Sequence, residues 1–262
     1  MLDYRGKRVI VTGAASGMGA ATAALAADLG AEVVAIDINK ATDERFESRQ
    51  LDLRDFGAIE DAVAEICDAG PVDRLFYSAG LPGAKFPDLD VMTVNFISMR
   101  HFAETLIPRL GAGAAIASVA SAAGVYPPMS LTAPLLGIED PLEAQRWVEE
   151  NLESTGWDSY SFSKVCTITY TLRRASDLTT DTGIRLNCIS PGPTDTAMMP
   201  VFIETVGADM MAAYPRPVGR DSTAEEQAWP LLFLNSDEAS YISGANLFTD
   251  GGTAGQHLTR DL

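Results

Sequence analysis

Tyr160 and Lys164 stand four positions apart in the run Tyr160-Ser161-Phe162-Ser163-Lys164. On a helix that spacing puts both side chains on one face, where a phenol and an ammonium can address the same substrate atom. A free tyrosine titrates near pH ~10 and is a poor base at neutrality. A cation held beside it favours the phenolate and brings it toward the range useful for proton transfer. Alone, such a pair is common on solvated helix faces. Here it lies downstream of Thr12-Gly13-Ala14-Ala15-Ser16-Gly17-Met18-Gly19, which follows an apolar strand pattern and opens a helical one. Glycines at those positions permit a tight turn and let the backbone approach a pyrophosphate at the positive helix N-terminus.

The elements that must position these groups alternate along the whole chain. Arg8-Val9-Ile10-Val11 reads as a strand, Ala20 to Leu29 as an alanine-rich helix, and Glu32 to Ile36 as the next strand. A helix follows at Phe56 to Cys67, a strand at Val72 to Tyr77, and a long helix from Leu89 to Leu110. Then come a small-residue strand (Ala114 to Val119), a helix from Ser159 to Asp177 and a strand from Ile184 to Ile189. A helix near Ala224 to Leu234 and a strand at Ala245 to Phe248 close the series. This alternation predicts a single doubly wound α/β domain over residues 1–262, a parallel sheet covered by helices on both faces. Asp37 ends the second strand, where a carboxylate can bind both hydroxyls of an adenosine ribose and repel a phosphate there. With no Arg or Lys at positions 14–16 or 38–39, NAD is expected over NADP, although Lys40 is near. Asp52, placed at the end of the third strand, could meet the adenine amino group or cap the helix that starts near Phe56.

Bulk composition narrows the function further. Of 262 residues, 47% are hydrophobic, enough for a sizeable core. Asp and Glu number 36 against 19 Lys and Arg, a net charge of -17 that repels nucleic-acid backbones and anionic lipid. Neither partner is expected, and no apolar run approaches the ~18 residues needed to cross a bilayer. The first residues enter a strand at once without a signal-peptide pattern. Cys67, Cys166 and Cys188 are odd in number and lack metal-ligand spacing, which suggests free thiols in a reducing cytoplasm and no metal. With only His101 and His257, a histidine metal site or a Ser-His-Asp triad is not expected, and His101, within a helical pattern, reads as structural or exposed and not catalytic.

Together these residues resemble the short-chain dehydrogenase/reductase family over essentially the whole chain. The family's T-G-x-x-x-G-x-G matches Thr12 to Gly19, and its N-A-G appears as Ser78-Ala79-Gly80, a departure at the first position. Its helical asparagine matches Asn95. Its catalytic serine, followed by x-A-G, matches Ser121 in Ser121-Ala122-Ala123-Gly124, with Ser118 as the competing position. Pro191-Gly192-Pro193-Thr194-Asp195-Thr196 resembles the segment at the nicotinamide end, and Asp250-Gly251-Gly252 the C-terminal D-G-G. The resemblance implies a catalytic tetrad of Asn95, Ser121, Tyr160 and Lys164. It implies a cofactor lining of Gly13, Ser16, Gly17, Met18, Gly19, Asp37, Ile38, Asp52, Leu53, Ser78, Ala79, Gly80, Tyr160, Lys164, Pro191, Gly192, Thr194 and Thr196. Tyr160 would exchange the alcohol proton while hydride passes to or from the nicotinamide. Lys164 would lower the Tyr160 pKa and hold the ribose, Ser121 would bind the substrate oxygen, and Asn95 would hold a relay water.

Thirty-nine positions separate Ser121 from Tyr160, more than the family's usual spacing, because residues 126–157 are inserted. Both ends of the insertion join site residues, so Leu131, Leu135, Leu136, Trp147 and Val148 could supply an apolar wall or lid; the alternative is a surface decoration. The stretch 197–217 follows a strand end and would form a substrate loop. A similar insertion resembles the 3α-hydroxysteroid dehydrogenase/carbonyl reductase and coniferyl-alcohol dehydrogenase branch. That implies a bulky hydrophobic alcohol or ketone and a homodimer through the last helix and strand, with Pro230 able to kink that helix. Two rivals share the scaffold: an epimerase or dehydratase, expected on longer chains, and an idle NAD-binding regulator, expected to have lost Tyr160, Lys164 or Ser121.

Overall fold

The first strand, β1 (Arg8–Thr12), is buried at every position. Successive strand side chains point to opposite faces, so such a run is stable only where both faces are covered. Val9 and Val11 join an apolar cluster with Ala23, Ala26 and Leu231, whereas Ile10 joins another with Ile59, Phe102 and Phe162. The computed structural model describes residues 2–83 and 85–259.

After β1 come α1 (Gly17–Asp28), β2 (Glu32–Asp37), β3 (Glu47–Gln50), α2 (Phe56–Ala69), β4 (Arg74–Tyr77), α3 (Asp88–Met92), α4 (Ser98–Leu106) and β5 (Ala115–Val119). Next are α5 (Ala133–Leu136), α6 (Pro141–Asn151), α7 (Ser159–Thr182), β6 (Arg185–Pro191), β7 (Thr194–Asp195), α8 (Met199–Val206) and α9 (Ala208–Ala213). The described chain finishes with β8 (Ser222–Thr223), α10 (Ala224–Asn235), β9 (Asn246–Thr249) and α11 (Thr253–Leu258). Seven strands form one sheet in the order β3-β2-β1-β4-β5-β6-β9, with every neighbouring pair parallel. The Rossmann-like architecture is the one the alternation predicts. Strand order reverses between β1 and β4, so a crevice opens beyond their C-terminal ends, in register at Thr12 and Tyr77.

Three local departures bear on the site. The third strand ends at Gln50, not Asp52; its sequence Glu-Ser-Arg-Gln suits a polar sheet edge and has no apolar signature. Asp52 lies in the following turn, and Asp55 caps α2 by accepting from the Ala58 N–H at 3.0 Å, which removes the capping reading of Asp52. The long helix expected from Leu89 to Leu110 is α3 and α4 joined by a π-helical turn at Thr93–Ile97. Asn95 sits inside that turn, where the extra residue re-aims side chains. Finally, α7 runs past Asp177 to Thr182 and ends at Gly183, whose φ of 72° suits a left-handed stop. At the other end, Asp158 accepts from the Ser161 N–H (2.8 Å), fixing the first turn that carries Tyr160. Helix α10 is continuous through Pro230.

Candidate active site

The glycine turn is built by close backbone approaches. A Cβ on Gly13 (φ 71°) would meet Ala79 Cα and N at 2.8 Å, and one on Gly19 would meet Gly13 O at 2.1 Å. Side chains are therefore excluded where α1 presses on the turn between β1 and β4. Ser16 stands at the start of α1 with no side-chain cap, leaving first-turn N–H groups open to an anion. Asp37 reaches across, accepting from Ala15 N (3.0 Å) and Asn39 N (2.9 Å) at the end of β2. Ile38 is exposed beside it. Across the crevice, Thr196 carbons lie 3.6–3.7 Å from the Gly17 Cβ position. This glycine cradle, with an uncapped helix end and a carboxylate at the strand tip, fits a dinucleotide. Asp52 follows β3, where its carboxylate is held by Arg54 at 2.7 Å and borders a groove with Phe56 and Asp140. Leu53 is buried in the core nearby.

Ser121, Tyr160 and Lys164 converge on one cavity of about 770 Å³, which Met18, Ser78, Ala79, Gly80, Pro191, Gly192, Thr194 and Thr196 also line. Gly124 explains how β5 and α7 bring them together. A Cβ there would meet Lys164 C at 2.8 Å and Val165 N at 2.9 Å, so only glycine lets the turn after Ser121 lie against α7. Ser121 faces the cavity, whereas Ser118 is buried within β5 and does not line it. Lys164 Nζ donates to Val119 O at 3.0 Å and stands 5.4 Å from the Tyr160 ring centre. Burial brings the Lys164 ammonium down to about 8. Burial also raises the Tyr160 phenol, and its hydrogen bond with Ser121 pulls the other way. Asn95 is held by the protein: Oδ1 accepts from Leu81 N (2.7 Å), and Nδ2 donates to Leu81 O (3.0 Å) and Ser163 Oγ (3.2 Å). A Cβ on Gly80 would lie 3.3 Å from Asn95 Oδ1 and 3.8 Å from Lys164 Nζ, which accounts for a small residue there.

The apolar wall differs from the expected one. Leu131, Leu135, Leu136, Trp147 and Val148 do not line the cavity; they pack against or within the core cluster of Phe96, Phe162 and Tyr170. Trp147 stacks on Phe162 (6.2 Å, 21°), and Gln145 Nε2 donates to Thr93 Oγ1 at 3.0 Å. The insertion thus buttresses α3, the π turn and α7 from outside, reaching the cavity through Tyr126 at its start. The wall itself is Met198, Met199, Phe202 and Tyr214 with Tyr126. Phe202 meets Tyr160 edge-on at 5.0 Å and 72°. Met and aromatic residues in 197–217 were the available signal, but no periodicity says which of them turn inward. His101 lies elsewhere, its Nε2 3.3 Å from Glu60.

Family models describe two stretches of the chain: "short chain dehydrogenase" over residues 7–133 and "Enoyl-(Acyl carrier protein) reductase" over 148–254. Coniferyl-alcohol dehydrogenase of Pseudomonas sp. strain HR199 is 29% identical over 98% of this chain and 100% of its own. The 3-alpha-hydroxysteroid dehydrogenase/carbonyl reductase of Comamonas testosteroni is 30% identical over 93% of this chain and 95% of its own. Among solved structures, the 3-alpha-hydroxysteroid dehydrogenase from Pseudomonas sp. B-0831 complexed with NADH matches with a TM-score of 0.82 at 29% identity, covering 97% of this chain and 98% of that one. The chain belongs to the short-chain dehydrogenase/reductase family, oxidoreductases acting on CH–OH groups. Among the described residues no helix is long and apolar enough to cross a membrane.

Proposed function

We propose that this protein is an NAD-dependent oxidoreductase interconverting a bulky hydrophobic secondary or aromatic alcohol and its carbonyl compound. The carrying observation is the convergence of Ser121, Tyr160 and Lys164 on a cavity that reaches the glycine turn at Met18 and, on its other side, a Met- and aromatic-rich wall. Bound oxidised nicotinamide dinucleotide would supply the hydride-accepting carbon and a positive ring charge beside Tyr160. Ser121 donates a hydrogen bond to the substrate oxygen, stabilising charge that develops there. Tyr160 accepts the hydroxyl proton in oxidation and returns it in reduction. Lys164, still cationic at neutrality with its pKa of about 8, favours the phenolate and holds the ribose. Asn95 acts as a positioning residue, its side-chain amide pinning Leu81 and Ser163 beside Lys164.

Asp37 supports NAD over NADP, because its carboxylate at the end of β2, beside Ala15 N, would repel a phosphate on an adenosine ribose bound there. The wall supports a bulky apolar substrate; the coniferyl-alcohol and hydroxysteroid relatives agree with that class. We treat the chain as one catalytic unit with a substrate loop at 197–217. A homodimer through α10 and β9 is supported by exposed Trp229, Phe233, Leu247 and Phe248 on those elements. A cytoplasmic home is supported by three free thiols. The test is reduced-nicotinamide absorbance with 3α-hydroxysteroids, cinnamyl-type alcohols, cyclic terpenols and small secondary alcohols, each with NAD and NADP. Turnover of a bulky alcohol with NAD is expected; preference for NADP or for small alcohols would overturn the corresponding reading.

A further inference from the structure

A second cavity, of about 490 Å³, lies between α4, α7 and the insertion and shares no lining residue with the first. At its base is Arg100, only 7% exposed. Its guanidinium lies over the Phe96 ring at 5.2 Å, and Nη1 donates to Leu135 O at 3.2 Å. Nη2 is buried with no partner among the described residues. A buried cationic donor left unpaired is costly, and burial lowers the Arg100 pKa in consequence. Arginine nonetheless keeps its charge in proteins.

The neighbouring carboxylate is already committed. Glu104 Oε1 accepts from the Tyr170 hydroxyl (2.7 Å) and from Arg174 Nε (2.9 Å), while Oε2 accepts from Arg174 Nη2 (3.2 Å). Glu139 and Asp177 are exposed at the rim, where solvent weakens their hold. Exposed Arg173, also on the rim, has no ion pair among the described residues. Leu136 and Tyr170 supply apolar surface beside these cations.

We propose that this cavity binds a small aromatic or alicyclic carboxylate, its oxygens taking Arg100 Nη2 and Arg173 and its ring lying against Leu136 and Tyr170. Planar guanidinium donors match a carboxylate well. The ligand would tie α4 to α7, so its effect is read as stabilisation. The experiment titrates the cofactor-free protein with benzoate and with uncharged benzamide, following heat by calorimetry and protection by hydrogen exchange. Benzoate is expected to bind and to protect residues 96–104 and 168–176, whereas benzamide binds at least roughly tenfold more weakly. Arg100→Met weakens benzoate roughly tenfold or more, exposed Arg173→Ala roughly threefold, and Tyr160→Phe leaves it unchanged. Silence with benzoate, equal binding of benzamide, or affinity insensitive to Arg173→Ala would overturn the proposal. So would affinity that falls in Tyr160→Phe, which locates the ligand in the first cavity instead.

Discussion

Replacing Lys164 by Met should remove a specific slope from the pH dependence of stability. Lys164 is 4% exposed and burial lowers its pKa from 10.5 to about 8. Between those values the unfolded chain binds the proton and the folded chain does not, so stability rises with pH across that window and not below it. A group titrating at 8 folded and 10.5 unfolded costs about 3 kcal/mol at about pH 7 and about 1.4 kcal/mol at about pH 9.5, a gain of about 2 kcal/mol. The assay is denaturant unfolding of cofactor-free protein at both pH values, with Lys164→Met carried in parallel. The variant cancels the other titrating groups, including the buried Cys188 thiol, which burial pushes up to about 12. The wild type should gain about 2 kcal/mol relative to the variant on going alkaline. Parallel curves would refute the claim that Lys164 is held as a desolvated cation poised near neutrality.

Other substitutions separate cofactor, substrate and scaffold. Asp37→Ser removes the acceptor of Ala15 N and Asn39 N; KM for NAD should rise roughly tenfold while NADP becomes usable, and unchanged cofactor kinetics would contradict the assignment. Phe202→Ala deletes the ring set edge-on against Tyr160 and should raise KM for a bulky alcohol roughly tenfold, the equivalent of ~1.5 kcal/mol of apolar contact, with small alcohols spared. Trp147→Ala breaks the stack on Phe162 and should cost about 3 kcal/mol of stability with KM little changed. A large KM effect at unaltered stability would restore a lid role for the insertion.

The parts of the site legible in the sequence are those where chemistry or sterics leaves little choice. Gly13, Gly19 and Gly124 stand where any Cβ would meet backbone at 2.1–2.9 Å. Tyr160 and Lys164 share a helix face by spacing alone. Strands β1 and β2 have apolar centres because the sheet is covered on both sides. Other features leave no local trace. Strand β3 is polar because it is an edge, so its end is misplaced by hydropathy and Asp52 with it. The π turn at Thr93–Ile97 depends on tertiary packing against α7, since its composition is that of an ordinary helix. The insertion's apolar residues could have faced either the cavity or the core; Phe96 and Phe162, distant in sequence, decide for the core. Tyr126 and Tyr214 meet across the cavity only once both segments fold, and burial then raises the Tyr214 phenol, reinforced by its hydrogen bond with Tyr126. Arg100 reads as one more helix charge until Leu135 covers it.

The central claim is that this family member exchanges an alcohol proton through Tyr160, and Tyr160→Phe tests it most directly. Reduced-nicotinamide binding and NAD-linked turnover of the best alcohol would be measured on the same preparation. Turnover should fall by a factor of roughly a thousand while cofactor affinity changes less than about twofold, because the hydroxyl's hydrogen bond in the protein is with Ser121 and not with the glycine turn. Undiminished turnover, or turnover and cofactor affinity lost together, would contradict the account.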